Sequence, residues 1–227
     1  MSFSIDEKLY QNPARRILVL EGIPGAGKTT LSHALLEYLK EKGIRCTLFP
    51  EVVDKQLLAL FLNDRAKYGF AFELYLLSER ISTMKQAHDF ITHGGGIAIV
   101  DRGPVGGCAF AHYSDSHNKT FDLEARQVYD RLLINGAPWK SMKIAQIYFP
   151  VKPKTALKRI FKRGNESEIQ AYDEKFMVDI DEAHKLCFNL IGDEIGRQFI
   201  WPRTIHKKTQ IQDCKDILLL LCDQKKQ

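Results

Sequence analysis

Gly22-Ile23-Pro24-Gly25-Ala26-Gly27-Lys28-Thr29 has the spacing G-x-x-x-x-G-K-[ST], and each residue type in it has a task in holding a polyphosphate. Glycines let backbone N–H groups turn inward and approach phosphate oxygens closely. A helix that starts where the loop ends adds unpaired N–H groups and the positive end of its dipole. The lysine reaches β- and γ-phosphates, and the hydroxyl after it is an oxygen ligand for Mg²⁺. The pattern therefore assigns a polyphosphate to Gly22, Gly25, Ala26, Gly27, Lys28, Thr29 and Thr30. Further on, Ile97-Ala98-Ile99-Val100 runs straight into Asp101-Arg102, a carboxylate and a guanidinium at one strand end. Arg159 and Arg163 are four apart, so on a helix they share a face. Fixed guanidiniums leading into a polar stretch suit a lid that closes over phosphates and excludes water. A plain solvated basic face is the competing reading, since Lys158 and Lys162 lie alongside.

These residues need a frame. The apolar run at 16–20 predicts a buried strand, and Leu31, Leu35, Leu36 and Leu39 at helical spacing predict a helix to about Lys42, stopped by Gly43. A second strand over 44–49 ends at Pro50-Glu51. Helical patterns follow at 53–63 and 70–91, where Phe72, Tyr75, Leu76, Ile81 and Met84 share a face, and Gly94-Gly95-Gly96 ends the second. After the strand at 97–100, residues 108–120 have no clear period. The remainder reads as a helix at 123–134, a strand at 143–149, and a helix opened by Pro153 and running to about Arg163. A polar, mobile stretch at 164–170 follows, then a helix at 172–191, a strand at 198–201 and a helix at 210–221. Strands alternating with helices predict a parallel sheet joined by crossover helices. The expected fold is α/β: a single three-layer domain spanning 1–227, with about five parallel strands and helices on both faces. Residues 1–12 form a polar lead-in.

With 44% hydrophobic and 27% charged residues the chain has a globular rather than a disordered composition. A net charge of +5 suits anionic ligands but is too small and dispersed for nucleic acid. Five cysteines with no C-x-x-C pair predict a reducing, cytoplasmic setting and no zinc site. The histidines have no metal spacing. Nothing reads as a signal peptide or a membrane span. Asn118-Lys119-Thr120-Phe121 lacks the aspartate of the guanine-reading N-K-x-D, and Arg102 stands where motor and transport ATPases usually place a second acid.

A strand ending in Asp-Arg is what small-molecule P-loop kinases use, and at this point the chain resembles the deoxynucleoside kinases, with thymidylate kinases as close relatives. The resemblance runs over roughly 17–190. It rests on the P-loop, Pro50-Glu51, Phe72-Glu73-Leu74-Tyr75 with Arg80 eight residues after Phe72, Asp101-Arg102, and Arg159-x-x-x-Arg163-Gly164 with Glu168. The chain departs from the family's usual pattern at Glu73, where relatives carry Gln. It departs again at Asp101-Arg102-Gly103, where they carry Glu-Arg-Ser, and at Asn165, where they carry a further arginine.

The resemblance implies a P-loop kinase that moves the γ-phosphoryl group of ATP, with Mg²⁺, to the 5′-hydroxyl of a (deoxy)nucleoside. It implies that Lys28 and Thr29 hold the donor and the metal, that Asp101 orients the metal's water shell or contacts the acceptor, and that Glu51 accepts the hydroxyl proton. It further implies that Arg102, Arg159 and Arg163 neutralise the transferring group, and that residues 164–170 form a lid from which Glu168 reaches the sugar 3′-hydroxyl. Phe72, Glu73, Tyr75 and Arg80 would line the acceptor pocket, with Arg80 near enough in sequence to pair with Glu73. Such kinases are often homodimers. An ionised Glu73 is acceptor-only, so it should favour bases that present donors, guanine or cytosine, over thymine. Two alternatives stay open. One is a thymidylate-type monophosphate kinase, against which Glu51 counts, because an anionic acceptor needs cations rather than a base. The other is an ATP-binding switch or regulator, which has no need of Asp101-Arg102 or of lid arginines.

Overall fold

The computed structural model describes residues 16–164, 166–206 and 208–222. The lead-in at 1–12 and Asn165 lie outside them. Five strands, β1 (Ile17–Glu21), β2 (Cys46–Phe49), β3 (Ile97–Asp101), β4 (Ile144–Tyr148) and β5 (Arg197–Ile200), form one sheet in the order β2-β3-β1-β4-β5. Every pairing is parallel; Leu20 lies opposite Asp101 on one side and Ile147 on the other. All residues of β1, β3 and β4 are buried. Successive side chains point to opposite faces, so burial of all of them means both faces are covered. The edge strands β2 and β5 are half-buried.

Helices α1 (Lys28–Glu41), α2 (Lys55–Asn63), α3 (Arg65–Thr92), α4 (Pro104–Asn118), α5 (Leu123–Asn135), α6 (Pro153–Arg163), α7 (Glu166–Ala171), α8 (Glu174–Ile195) and α9 (Gln210–Cys222) supply that cover. Leu31, Leu35 and Leu39 are the fully buried stripe of α1, which packs on β1, β2 and β3 with α9 against it. Asp54, Asp64, Asp122 and Asp173 cap α2, α3, α5 and α8 by accepting backbone N–H groups of the first turn.

Two stretches differ from expectation. Residues 108–118 belong to α4, whose first six residues are all buried. That opening stretch, covered on all sides, shows no amphipathic period, and its glycines are small where Glu21 and Arg102 crowd Gly106 and Arg80 of α3 crowds Gly107. The stretch at 164–170, expected as a mobile segment, carries the short helix α7, and Gly164 at φ 77° ends α6 in the left-handed region.

Candidate active site

The turns after β1, β2 and β3 all leave the carboxyl edge of the sheet beside the central strand, where open α/β sheets bind ligands. A cavity of about 940 Å³ opens there, at the upper end of the range for small-molecule sites.

The P-loop lines part of this cavity. Gly22, Gly25 and Gly27 take φ of 144°, 75° and 103°, and a Cβ on Gly25 would stand 2.5 Å from Ala156 O. Lys28 Nζ donates to Gly22 O (2.9 Å) and Ile23 O (3.3 Å) across the loop, which leaves one N–H for a ligand. Burial, then Arg102, pulls its pKa down to about 8. Thr29 Oγ1 donates to Asp101 Oδ2 at 2.6 Å. A hydroxyl and a carboxylate are hard oxygen ligands that fit Mg²⁺, which keeps waters and substrate phosphates for its other positions. Among the described residues no group of three or more His, Cys, Asp and Glu that could hold a metal ion gathers. Ala26 is buried in the loop, and Thr30 O accepts from Gln210 Nε2 at 2.9 Å.

The arginines of α6 take separate places. Arg159 Nη1 donates to Gly25 O and Ala26 O, 3.1 Å each, and Nη2 to Ile205 O at 2.8 Å. It ties the P-loop to the segment before α9 rather than reaching out from a lid. Arg163 pairs with Glu168 of α7, and both line the cavity.

Glu51 lines the same cavity. Its Oε1 lies 2.9 Å from Arg102 Nε and 3.2 Å from Arg80 Nη2. Burial pushes this carboxyl up, but Arg102, Arg80 and Lys28 outweigh it and hold it below its ordinary value. Arg80 thus meets Glu51, across the cavity, rather than Glu73. Glu73 is 3% exposed, and its Oε2 has no partner among the described residues. Burial lifts its pKa to about 7, with Arg80 opposing, so at neutral pH it is not the fully ionised group the sequence implied. Phe72 stacks on Phe61 of α2 with ring centroids 4.7 Å apart. Tyr75 is not part of the cavity lining; its hydroxyl accepts from Asp54 N at 3.2 Å and braces the start of α2.

Residues the sequence reading missed complete the surroundings. Glu21, fully buried at the end of β1, accepts Gly103 N and Gly106 N at 3.0 Å each. The signal was there: an acid ends an otherwise apolar strand. Arg102 adopts φ 72°, and its Nη1 donates to Gly22 O at 3.3 Å. His184 of α8 lies beside it, and nothing in the local sequence marked that histidine. The serine position of the family's Glu-Arg-Ser is Gly103, where a Cβ would stand 2.6 Å from Val19 Cγ1.

Residues 18–207 match the deoxynucleoside kinase family. A deoxyadenosine kinase of Dictyostelium discoideum is 30% identical over 151 residues, 66% of this chain and 58% of that protein. A deoxyguanosine kinase of Lactobacillus acidophilus is 28% identical over 162 residues, 69% and 67% of the two chains. The matched stretch therefore spans little more than half the length of the Dictyostelium relative. The deoxyadenosine kinase of M. mycoides, solved with bound dATP, superposes with a TM-score of 0.68 at 24% identity, over 89% of this chain and 99% of that one, and so has the same fold. The match over 18–207 takes in the P-loop, Glu51, Asp101-Arg102 and the α6 arginines, and the chain belongs to the deoxynucleoside kinase family.

Proposed function

We propose that this protein transfers the γ-phosphoryl group of ATP to the 5′-hydroxyl of a purine deoxynucleoside. The observation that carries the reading is Glu51, held ionised between Arg102 and Arg80 in the cavity that the P-loop also lines. A primary alcohol is a poor nucleophile unless its proton is taken during transfer. An acceptor phosphate is already anionic and has no use for a carboxylate in that place.

In this mechanism the P-loop N–H groups and Lys28 hold the ATP phosphates in line with the acceptor. Thr29 and Asp101 would hold Mg²⁺, which when bound would supply positive charge to the donor's phosphates. Glu51 Oε takes the 5′-hydroxyl proton. Arg102 keeps Glu51 in place and, with Arg163, faces the negative charge of the moving group, where fixed cations act without reorganisation. Phe72 offers an aromatic face to the base. Glu168 reaches the sugar from α7. The reading also takes from the family resemblance a homodimer, and from free thiols at Cys46, Cys108, Cys187 and Cys214 a cytoplasmic setting. No helix among the described residues is long and apolar enough to cross a membrane.

The naming of the relatives favours a purine, and Glu73 is able to read either one, although its neutral form fits cytosine N3 and amino group equally well. A neutral carboxyl places an O–H donor beside a carbonyl acceptor, the complement of adenine N1 and its amino group. An ionised one is acceptor-only, the complement of guanine N1–H and amino group. The relatives named for deoxyadenosine and for deoxyguanosine fit these two states. The test is ADP formation over a panel of the four deoxynucleosides and their monophosphates. A monophosphate as the best acceptor would restore the thymidylate-type alternative.

A further inference from the structure

We infer that His184 is a positioning residue for this reaction: its neutral imidazole accepts an N–H from Arg102 and fixes the guanidinium against Glu51. The inference rests on the roles given above to Arg102 and Glu51.

Arg102 is a demanding residue to place. It follows β3 with φ 72°, a backbone conformation that side-chain-bearing residues rarely adopt. The main chain there is pinned on both sides, by Arg102 N donating to Leu20 O at 3.1 Å and by Gly103 N donating to Glu21. That fixes the root of the side chain but not its tip. Among the described residues the tip has three polar contacts, Glu51 Oε1 at 2.9 Å from Nε, and Gly22 O and His184 Nε2 each 3.3 Å from Nη1, while the carboxylates of Glu21 and Asp101 act on it by charge without a direct contact to the tip.

Two of these three change as the reaction proceeds. Glu51 loses its negative charge when it takes the hydroxyl proton, and its hold on Arg102 weakens at the moment the guanidinium is needed. Gly22 O is shared with Lys28 Nζ, which shifts its allegiance when phosphates arrive. His184 takes no part in the chemistry, so its contact persists.

The tautomer follows from the other ring nitrogen. Nδ1 lies 2.7 Å from Ile180 O. A carbonyl can only accept, so Nδ1 carries the proton and Nε2 presents its lone pair to Arg102. His184 is 1% exposed, and burial, then the charge of Arg102, holds its pKa well below the ordinary value. The ring is set edge-on to Phe110 at 5.7 Å, and the guanidinium carbon of Arg102 lies 4.8 Å from the same Phe110 ring. Phe110 belongs to α4 and His184 to α8, so the packing of these two helices delivers both restraints.

The experiment compares His184→Asn with His184→Gln. The asparagine amide replaces Nδ1 and keeps the bond to Ile180 O but does not reach Arg102. The glutamine amide carries its oxygen to the place of Nε2. We expect His184→Asn to lower kcat roughly 10- to 100-fold, the scale for a displaced catalytic group, with KM values for ATP and nucleoside little changed, and His184→Gln to recover most of the loss. In an Arg102→Lys background His184→Asn should lower kcat no further. Wild-type kcat in His184→Asn, or an undiminished additional loss beside Arg102→Lys, overturns the inference. Should His184→Asn not fold, nitrogen NMR of wild-type His184 decides: a proton on Nε2 rather than Nδ1 refutes the contact. Full activity of Arg102→Lys alone removes the underlying role of Arg102, whereas an impaired Arg102→Lys beside an unimpaired His184→Asn removes only this inference.

Discussion

Thr29 and Asp101, 72 residues apart, meet through a 2.6 Å hydrogen bond from Oγ1 to Oδ2 that joins the first turn of α1 to the tip of β3. The bond orients the hydroxyl, so its lone pairs are directed away from Asp101 and remain available to a cation. Asp101→Asn removes the negative charge and loosens that orientation. The Mg²⁺ concentration for half-maximal rate should rise about 10- to 100-fold, the usual effect of losing a partner that orients a metal ligand. Nucleoside KM should move far less. A Mg²⁺ titration of both proteins at saturating ATP checks this, and an unchanged midpoint removes Asp101 from the metal site.

Glu51→Gln keeps shape and hydrogen-bonding capacity but cannot take a proton. Its kcat for a nucleoside should fall by roughly 10²–10⁴, the ordinary contribution of a positioned base. The pH dependence has a definite sign. Arg102 and Arg80 hold the Glu51 carboxyl below its ordinary value, so the ionised, active form is lost only when the pH falls beneath about 4.3, the unperturbed value for Glu. Rates at neutral pH should therefore show no inflection from Glu51. An acid limb centred near neutrality would show that the arginines do not govern this carboxylate.

Lys28 sets the alkaline side. Its cationic form is lost as pH rises through about 8 in the free protein. kcat/KM for ATP should decline above that pH. kcat at saturating ATP should hold to higher pH, because bound phosphates stabilise the ammonium. Lys28→Ala should lose several orders of magnitude of turnover while remaining folded. Superposable pH profiles of kcat and kcat/KM would show that Lys28 is not the titrating group.

Arg159 and Arg163 are distinguishable although they share a helix face. Arg159 donates to three backbone carbonyls of the P-loop and the 205 segment. Arg159→Ala should raise KM for ATP and lower Tm, since it removes partners from buried carbonyls. Arg163 is paired on the surface with Glu168, so Arg163→Ala should lower kcat with little effect on Tm. Thermal unfolding beside steady-state kinetics separates the two, and identical profiles would return both to a generic basic face.

What could be read from the sequence was what is local. The P-loop is contiguous, and its strand and helix flank it within about ten residues, so its reading needs no tertiary information. Glu51 and Asp101-Arg102 were legible because parallel strands bring their carboxyl ends to one edge. The pairing of Arg80 was not: helical spacing offered Glu73, but the fold sets Glu51 from another element at 3.2 Å. Tyr75 shared an apolar face with Phe72, yet its polar tip answers to Asp54 N. α4 was hidden because its first six residues are all buried and show no 3.6-residue period. His184 and Glu21 have their meaning only through partners about 80 residues away.

Glu73 carries the most selective expectation. It is buried in the cavity lining, with Oε2 unpartnered and Arg80 of its own helix turned to Glu51. A second titratable group near it is Tyr129 of α5, fully buried with its pKa raised by that burial and then by the Glu73 charge. With a pKa of about 7, the carboxyl passes from mostly neutral at pH 6 to mostly ionised at pH 8, a change of about tenfold in each form for one unit on either side. The neutral form matches adenine, and the ionised form matches guanine. The ratio of kcat/KM for deoxyadenosine to that for deoxyguanosine should therefore fall as pH rises from 6 to 8. Titration of Lys28 alters both rates alike and cancels in this ratio. Glu73→Gln offers a donor and an acceptor at every pH, so its ratio should be flat and favour deoxyadenosine. Thymidine, whose carbonyl edge faces an acceptor when Glu73 is ionised, should be the poorest substrate at pH 8. A pH-independent ratio in the wild type, or the same slope in Glu73→Gln, would show that Glu73 does not read the base.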